Sequence, residues 1–280
     1  MSVELPEANI LSQQMNIEFK GKEISGCHLL DYQRLQRIGF VNKNVSDFNR
    51  LLGARIKFVV SRGNVIRVGL NEGMNLILAP EYGGRILFHA TAVDVPSKYH
   101  LRLKFKDNGT LTVVLTGMGV IQALKDEELE SSYVYRRDFS ATISPINDRE
   151  FTFERFSNEI AAKNVNIKAV LVGKDAAVVG LSNSSLQEIL YRSKIYPKRK
   201  ASSLDEKERQ VLYDMIKSVI EERIRLGGKE QFVDLYGKRG RYTPAMGPNM
   251  KGKKCRACGT NIEGISLGGG QVYFCPVCQI

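Results

Sequence analysis

The sequence predicts a multi-domain α+β protein: an N-terminal β-sandwich with flanking helices, a helical domain, and a C-terminal hairpin built on four cysteines. Three observations support this fold class. Residues 1–140 hold short β-rich runs between turn residues, residues 141–245 hold helical apolar patterns, and residues 246–280 hold four of the five cysteines. We place the domain boundaries at these ranges.

Length and composition narrow the class of protein. The 280 residues are enough for one large domain, or for two ordinary domains with a small module. The chain is 43% hydrophobic and 25% charged, and it has no apolar run of the roughly 18 residues that span a bilayer. Its first residues are acidic and polar, unlike those of a signal peptide. We therefore expect a cytoplasmic protein without a membrane partner.

The N-terminal part begins with a strand-like run that stops at Pro6. A helix is predicted after this proline, because its apolar residues share one side. These residues are Ile10, Leu11 and Met15. The β-rich runs over 56–89 are separated by the turn sequences SRGN, NEG and YGG. Residues 100–117 predict a hairpin with an Asp-Asn-Gly turn.

The middle of the chain changes to helical patterns. Asn147 or Asp148 is expected to cap a first helix, because short polar side chains accept hydrogen bonds from the free N–H groups of a first turn. Ser182 or Asn183 is expected to cap a second helix, which Pro197 limits.

A long third helix is the clearest element of the sequence. Ser203 is expected to be its N-cap, with Glu206 three residues later completing a capping box. Gly227 and Gly228 are expected to end it. Its predicted apolar stripe is Leu212, Ile216, Val219, Ile220 and Ile224.

The tail carries two CxxC motifs. Cys255 pairs with Cys258 and Cys275 pairs with Cys278, and 16 residues lie between the two pairs. This spacing is typical of a four-cysteine zinc site, in which the thiolates complete a tetrahedron and leave no open position. We expect one structural Zn²⁺ in a zinc-finger hairpin, in preference to two redox dithiols.

The formal charge of +11 is concentrated in one region. Residues 191–258 contain 18 Lys and Arg against 8 Asp and Glu, a net charge of +10. A regional excess favours docking of a polyanion, most simply nucleic acid, whereas a solvated basic face is the simpler alternative.

Four segments together resemble one family. They are ELPEA at 4–8, GLSNSSLQEILYRSKIYPKRK at 180–200, DLYGKRGRY at 234–242 and YFCPVCQ at 273–279. The sequence resembles the formamidopyrimidine-DNA glycosylase and endonuclease VIII family, as a divergent branch that lacks the N-terminal proline. In this resemblance the helical domain contains a helix–two-turn–helix motif at 180–200.

The resemblance implies a base-excision repair glycosylase that acts on oxidised or otherwise damaged bases in double-stranded DNA. The target nucleotide is rotated out of the stack, because an enzyme cannot reach the base edge or C1′ inside a duplex. A monomer associated with the bacterial nucleoid is expected. The family also cleaves abasic (AP) sites by β-elimination, and the missing proline leaves that lyase activity open here.

Catalytic roles follow from the same resemblance. Glu4 aligns with the family's catalytic glutamate, and Glu7 aligns with its second acid. The nucleophile is the amine of the first mature residue, which is Ser2 or, in the family's register, Val3. An α-amine suits imine formation, because its reference pKa of about 7.7–8.0 leaves part of it neutral at pH 7.

DNA contacts are also implied by the resemblance. The phosphate-gripping residues are Asn183, Lys198, Arg199 and Lys200. Further DNA-binding positions are Arg241, Asn64 and Gln271. The residues expected to fill the gap left by the everted base are Tyr82, Arg85 and Met118.

Departures from the family's pattern leave two alternatives open. Val3 stands at the proline position, Asn64 replaces a DNA-contacting lysine, and Gly270 replaces the arginine of the finger. The first alternative is a catalytically impaired protein that binds damaged DNA or abasic sites. The second is an RNA- or ribosome-associated zinc protein.

Overall fold

A computed structural model describes residues 3–81, 83–91, 94–141, 143–147, 149–173 and 176–280. The chain divides into two compact units, each made of two segments. Unit 1 comprises Met1–Thr142 and Leu226–Arg241, and unit 2 comprises Ile143–Arg225 and Tyr242–Ile280. The three-part division expected from the sequence stays a prediction.

Unit 1 is built on two four-stranded antiparallel sheets, within its described residues. The strands are β1 (Ile24–Leu29), β2 (Ile56–Arg62), β3 (Val65–Leu70), β4 (Met74–Pro80), β5 (Arg85–His89), β6 (Leu101–Phe105), β7 (Thr110–Val114) and β8 (Gly119–Lys125). One sheet has the order β1-β6-β7-β5 and the other has the order β2-β3-β4-β8. The flanking helices are α1 (Leu5–Phe19), α2 (Tyr32–Arg37) and α3 (Tyr133–Tyr135). The predicted sandwich with flanking helices is confirmed.

The predicted hairpin is formed by β6 and β7. Its turn places Asn108 at φ 71°, a left-handed conformation that asparagine tolerates better than most residues. The Asp107 carboxylate accepts a hydrogen bond from the backbone N–H of Gly109 at 3.1 Å, which closes the turn.

The prediction of a strand-like run before Pro6 is wrong, because Glu4 is the N-cap of helix α1. Pro6 lies in the first turn of this helix, where a missing N–H costs nothing and the fixed φ suits the helix. The Glu7 carboxylate accepts a hydrogen bond from the backbone N–H of Glu4 at 3.2 Å, as in a capping box. Glu4 and Glu7 are thereby fixed on one turn.

Unit 2 combines helices with a short hairpin. The elements are α4 (Phe153–Ala162), α5 (Ile167–Val172), α6 (Asn183–Arg192), α7 (Glu206–Arg225), β9 (Glu263–Leu267) and β10 (Gly270–Phe274). β9 and β10 pair antiparallel.

The helix caps of unit 2 partly differ from the predictions. Thr152 caps α4 by accepting a hydrogen bond from the backbone N–H of Arg155, so Asn147 is not the cap. The alternative residue, Asp148, lies outside the described residues. Ser182 caps α6 as predicted, accepting from the backbone N–H of Ser184 at 3.2 Å.

The long helix α7 begins later than predicted. The Asp205 side chain accepts from the backbone N–H of Glu208, and the Glu208 side chain accepts from the backbone N–H of Asp205. This capping box replaces the predicted pair of Ser203 and Glu206, because residues 201–203 form a 3-10 turn. Ile224 is only half-buried, and Arg223 takes its place in the buried stripe.

The Gly-, Pro- and Lys-rich composition of residues 237–254 indicates a flexible connection, but part of this segment is packed in the structure. Met246 and Met250 are buried in a cluster with Cys255, Ile262 and Cys275. Among the described residues, no helix is long and apolar enough to cross a membrane.

Candidate functional site

Four cysteines of unit 2 converge on one point. The sulfur atoms of Cys255, Cys258, Cys275 and Cys278 all lie within 4.8 Å of one another. The Cys255–Cys278 and Cys258–Cys275 sulfur pairs are 3.9 Å and 3.5 Å apart. A tetrahedral zinc with Zn–S bonds of about 2.3 Å needs sulfur pairs about 3.8 Å apart, so the donor set fits Zn²⁺.

This cysteine site has a structural character. Two of its ligands, Cys255 and Cys275, are buried in an apolar cluster with Met246, Met250 and Ile262. Four protein ligands would fill the zinc coordination and leave no position for substrate. The metal would therefore hold β9 and β10 in place and supply no step of a reaction.

Two carboxylates and one lysine of unit 1 form a buried polar cluster. The Lys229 ammonium lies 2.7 Å from a carboxylate oxygen of Glu4, and these side chains are 6% and 1% exposed. The backbone N–H of Lys229 also donates to the Glu7 carboxylate at 3.2 Å. Each carboxylate therefore contacts both the start of α1 and the Leu226–Arg241 segment. These contacts hold the helix and the segment together.

Glycines allow this close approach. Gly228 has φ +90°, and a Cβ there would lie 2.5 Å from the ring of Phe232 and 3.3 Å from Cγ of Glu7. At Gly240, a Cβ would lie 2.2 Å from the carbonyl oxygen of Gly228. Real Cβ atoms do not tolerate contacts this short, so larger residues would push the segment away from Glu7.

A small pocket of about 80 Å³ lies in the same unit. It is lined by Val3, residues 83–85 and residues 231–233. The structure thus brings two predicted site residues together, Val3 from the start of the chain and Arg85 from the start of β5. Ser2 and Tyr82, also predicted, lie outside the described residues.

The remaining predicted residues of unit 1 are at its surface or in turns. Asn64 donates a hydrogen bond to the carboxylate of Glu81 at 3.4 Å, and burial raises the pKa of Glu81. Met118 is 54% exposed, and Arg241 is also exposed. Their predicted contacts with DNA stay predictions.

In unit 2, the start of α6 contacts the zinc hairpin. The side-chain N–H of Asn183 donates to the carbonyl oxygen of Gln271 at 2.6 Å, so two predicted DNA-binding residues are neighbours. The Lys168 ammonium donates to the carbonyl oxygen of Leu267 at 2.5 Å. Burial lowers the pKa of Lys168, which is 5% exposed and has no carboxylate partner among the described residues.

The three basic residues predicted to bind phosphate after α6 differ in their contacts. Lys198 and Lys200 are exposed. The Arg199 guanidinium instead binds both carboxylate oxygens of Glu208, with the longer contact at 2.9 Å. Its assignment as a phosphate contact stays a prediction.

Sequence reasoning missed Lys229 and Lys168. Lys229 follows two glycines that were interpreted only as a helix stop, and Lys168 lies within the apolar run IKAVLV. A lone lysine beside hydrophobic residues was the only signal for Lys168. For Lys229 there was none, because its partner Glu4 is 225 residues away in sequence.

The fold class is defined by a two-sheet unit with buried carboxylates at its first helix and by a helical unit with a four-cysteine hairpin. Comparisons with known proteins identify the family. Three family models match the chain in order. The formamidopyrimidine-DNA glycosylase N-terminal domain matches residues 3–116, the H2TH domain of the same enzyme matches residues 143–233, and the zinc finger found in FPG and IleRS matches residues 252–280.

Full-length relatives agree with these models. The chain is 24% identical to a formamidopyrimidine-DNA glycosylase of Lactococcus lactis subsp. cremoris, over 99% of this chain and 98% of the relative. It is 28% identical to the enzyme of that name from Desulfitobacterium hafniense, over 86% of this chain and 87% of the relative. The chain belongs to the formamidopyrimidine-DNA glycosylase family, which confirms the predicted resemblance.

Solved structures share the fold. A complex of Lactococcus lactis Fpg with abasic-site DNA superposes with a TM-score of 0.84 at 24% identity, over 99% of both chains. A structure of MutM with DNA containing carbocyclic 8-oxo-G superposes with a TM-score of 0.83 at 24% identity, over 99% of both chains.

Proposed function

We propose that this protein is a base-excision repair DNA glycosylase that removes damaged bases from double-stranded DNA. The observation that carries the proposal is the match to relatives named formamidopyrimidine-DNA glycosylase along 99% of this chain. A bacterial cytoplasmic monomer that works at the nucleoid, with AP lyase activity as a second step, belongs to the same proposal.

The geometry of unit 1 supports a role for Glu4 in the chemistry. Its carboxylate is held on the first turn of α1, beside an ammonium group, and next to residues that line a pocket. A carboxyl group in such a position can pass a proton to the sugar ring oxygen when the glycosidic bond breaks. Glu7 holds the backbone of Glu4 and of Lys229, so its proposed role is to position them.

Unit 2 supports DNA binding through its cations. The Lys168 ammonium is buried beside Asn183 and Gly270, and it donates to the neutral carbonyl group of Leu267. A DNA phosphate would supply the missing negative charge, and the first N–H groups of α6 favour an anion nearby. Lys198 and Lys200 are exposed, so their ammonium groups can bind further phosphates of the DNA backbone.

A second candidate function is a protein that binds damaged DNA without excising the base. The ion pair between Lys229 and Glu4 supports it, because the Glu4 carboxylate is engaged in a buried contact within the chain.

Base release from a duplex that carries one oxidised base separates the two functions. We expect Glu4→Gln to slow release by about 10²- to 10⁴-fold, the usual contribution of general acid–base catalysis, with binding of the same DNA retained. Glu72→Gln, at an exposed position of unit 1, is the matched control. Tight binding without release by the unaltered protein would favour the second candidate. A preference for structured RNA over damaged duplex would favour the RNA-associated alternative.

A further inference from the structure

Helix α6 presents three polar side chains to the cysteine hairpin along one face. Asn183, Gln187 and Tyr191 are spaced four residues apart, so they follow one another along the helix surface. The Asn183 side chain donates to the carbonyl oxygen of Gln271 at 2.6 Å. The Gln187 side-chain oxygen accepts from the backbone N–H of Tyr273 at 2.7 Å. The first two side chains of this face therefore bind the backbone of β10.

The third side chain of this face contacts a cysteine of the metal site. The hydroxyl oxygen of Tyr191 lies 3.3 Å from Sγ of Cys255, and the two residues are 64 positions apart in sequence. Cys255 is 3% exposed and lies in the apolar cluster with Met246 and Met250. The Tyr191 side chain packs against the same cluster. The hydroxyl group is thus placed beside a sulfur atom that is withdrawn from water.

Metal binding decides the direction of this hydrogen bond. A cysteine that binds zinc is a thiolate and has no proton to donate, so the Tyr191 hydroxyl group is then the donor. Four thiolates carry more negative charge than one Zn²⁺ neutralises, and a buried thiolate lacks the water that would stabilise this charge. A hydrogen-bond donor outside the ligand set compensates for that loss, as outer-shell groups do at metal sites in general.

We propose that Tyr191 is a positioning residue of the zinc site, because its hydroxyl group donates to the Cys255 thiolate and connects the bound metal to helix α6. The inference goes beyond the proposed glycosylase function, since it holds whether or not the protein excises a base. Asn183 and Gln187 attach the preceding turns of the same helix to β10. Zinc retention and the placement of α6 against the hairpin are therefore linked through one row of side chains.

A role in packing alone is the simpler interpretation of Tyr191. Its ring borders the apolar cluster, and the ring of a phenylalanine would pack there equally well. The two interpretations differ only in the hydroxyl group, which packing does not require and which the hydrogen bond to Cys255 does. Tyr191→Phe therefore removes the proposed interaction and keeps the ring.

Competition between the full-length protein and a chelator for zinc tests the proposal. We expect Tyr191→Phe to weaken zinc binding by about 10- to 100-fold, the usual effect of removing an outer-shell partner. Tyr273→Phe is the matched control, because Tyr273 borders the same cluster and its hydroxyl group has no hydrogen-bond partner among the described residues. This control should bind zinc as the unaltered protein does. Unchanged zinc affinity in Tyr191→Phe, or an equal loss in both variants, would overturn the proposal.

Cobalt substitution measures the hydrogen bond at the sulfur atom itself. Co²⁺ bound by thiolates has a sulfur-to-cobalt charge-transfer absorption, and a hydrogen bond to the thiolate stabilises the sulfur lone pair that this transition empties. We expect the band to move to longer wavelength in Tyr191→Phe and to stay in place in Tyr273→Phe. A change in packing that leaves the ligands in place would not produce this difference. An unchanged band in Tyr191→Phe would overturn the proposal.

A crystal structure of the unaltered protein with zinc bound needs no variant that could fail to fold. We expect the Tyr191 hydroxyl oxygen and Sγ of Cys255 to remain within hydrogen-bond distance, close to 3.3 Å. A Tyr191 hydroxyl group directed away from Cys255, with zinc held by all four cysteines, would overturn the proposal. None of these measurements uses DNA, so failure of the proposed glycosylase function would leave their outcome unaffected.

Discussion

Each unit contains a buried lysine, and the two lysines differ in whether a carboxylate balances their charge. In unit 1, Lys229 has a carboxylate at 2.7 Å, so the charge is balanced by the chain itself. In unit 2, Lys168 is 5% exposed and donates to a carbonyl oxygen, with no carboxylate partner among the described residues. A buried charge without a counter-charge is costly, whereas a paired one is tolerated when its hydrogen bonds are satisfied.

This difference separates a cluster that the chain balances itself from a cluster that lacks a counter-charge. A cluster that is electrically complete can hold its side chains in place before any ligand arrives, as Glu4 and Lys229 do. A cluster that lacks an anion gains most when one is bound. The cysteine hairpin shares the second property, because four sulfur donors held within 4.8 Å of one another are stabilised together when a cation binds them.

Removal of zinc is the strongest way to test unit 2. We expect a chelator to unfold residues 255–280 and to abolish tight DNA binding, since structural zinc sites contribute on the order of 10 kcal/mol to local folding. Hydrogen exchange of β9 and β10 measures the first effect, and a DNA titration measures the second. The strands of unit 1 should keep their protection. Loss of protection throughout the chain would remove the contrast between the units.

Lys168→Met tests the unbalanced charge itself. We expect it to raise the free energy of unfolding of the DNA-free protein by about 1 kcal/mol, because a buried charge is replaced by an apolar chain of similar length. The same change should weaken DNA binding by about tenfold, which is about 1.4 kcal/mol. Lys207→Met, at an exposed position on α7, is the control. Lower stability together with unchanged DNA binding would show that Lys168 is only structural.

The stability difference between Lys168→Met and the unaltered protein should depend on pH. Burial lowers the pKa of Lys168 below its ordinary value of 10.5, so the unfolded state binds more protons between the two values. The destabilising effect of Lys168 is therefore complete below the folded-state pKa. It should disappear as the pH rises from there towards 10.5. Chemical denaturation of both proteins between pH 8 and about 10.5 measures this trend.

The smallest expected effects concern the exposed cations of unit 2. We expect Lys200→Ala to weaken DNA binding a few-fold and to reduce the slope of log affinity against log salt by about 1, the value of one phosphate contact. Arg199→Ala should leave that slope nearly unchanged and lower stability instead, because its guanidinium already binds Glu208. DNA titrations at several salt concentrations distinguish these outcomes. An equal loss of slope in both variants would contradict the assignment of Lys200 to DNA binding and of Arg199 to stability.

Local patterns predicted much of this molecule. The hairpin at 100–117 and the Ser182 cap depend on residues close in sequence, and the spacing of the cysteines fixes their convergence. For this reason short-range chemistry was enough to place them. The capping box of α7 was misplaced because Ser203 and Asp205 both satisfy the pattern, and only the 3-10 turn decides between them.

The polar cluster of unit 1 could not be predicted in this way. Glu4 was assigned to a strand-like run that stops at Pro6, and its buried partner is 225 residues away in sequence. Arg223 likewise reads as an exposed helix residue, although its guanidinium donates to Ser185 in the interior. Such charges are placed by tertiary contacts that leave no periodic trace in the sequence.

The second segment of unit 1 limits how this protein can be dissected. Phe88 donates its backbone N–H to the carbonyl of Leu235, and Gln14 accepts from the N–H of Leu235, so the sheets and α1 are completed by residues 226–241. A proteolytic or recombinant fragment that stops at residue 142 would carry two buried carboxylates without their lysine. A chimaera that replaces unit 1 with that of a relative must therefore replace both of its segments. Otherwise the core of unit 1 would combine residues from two different proteins.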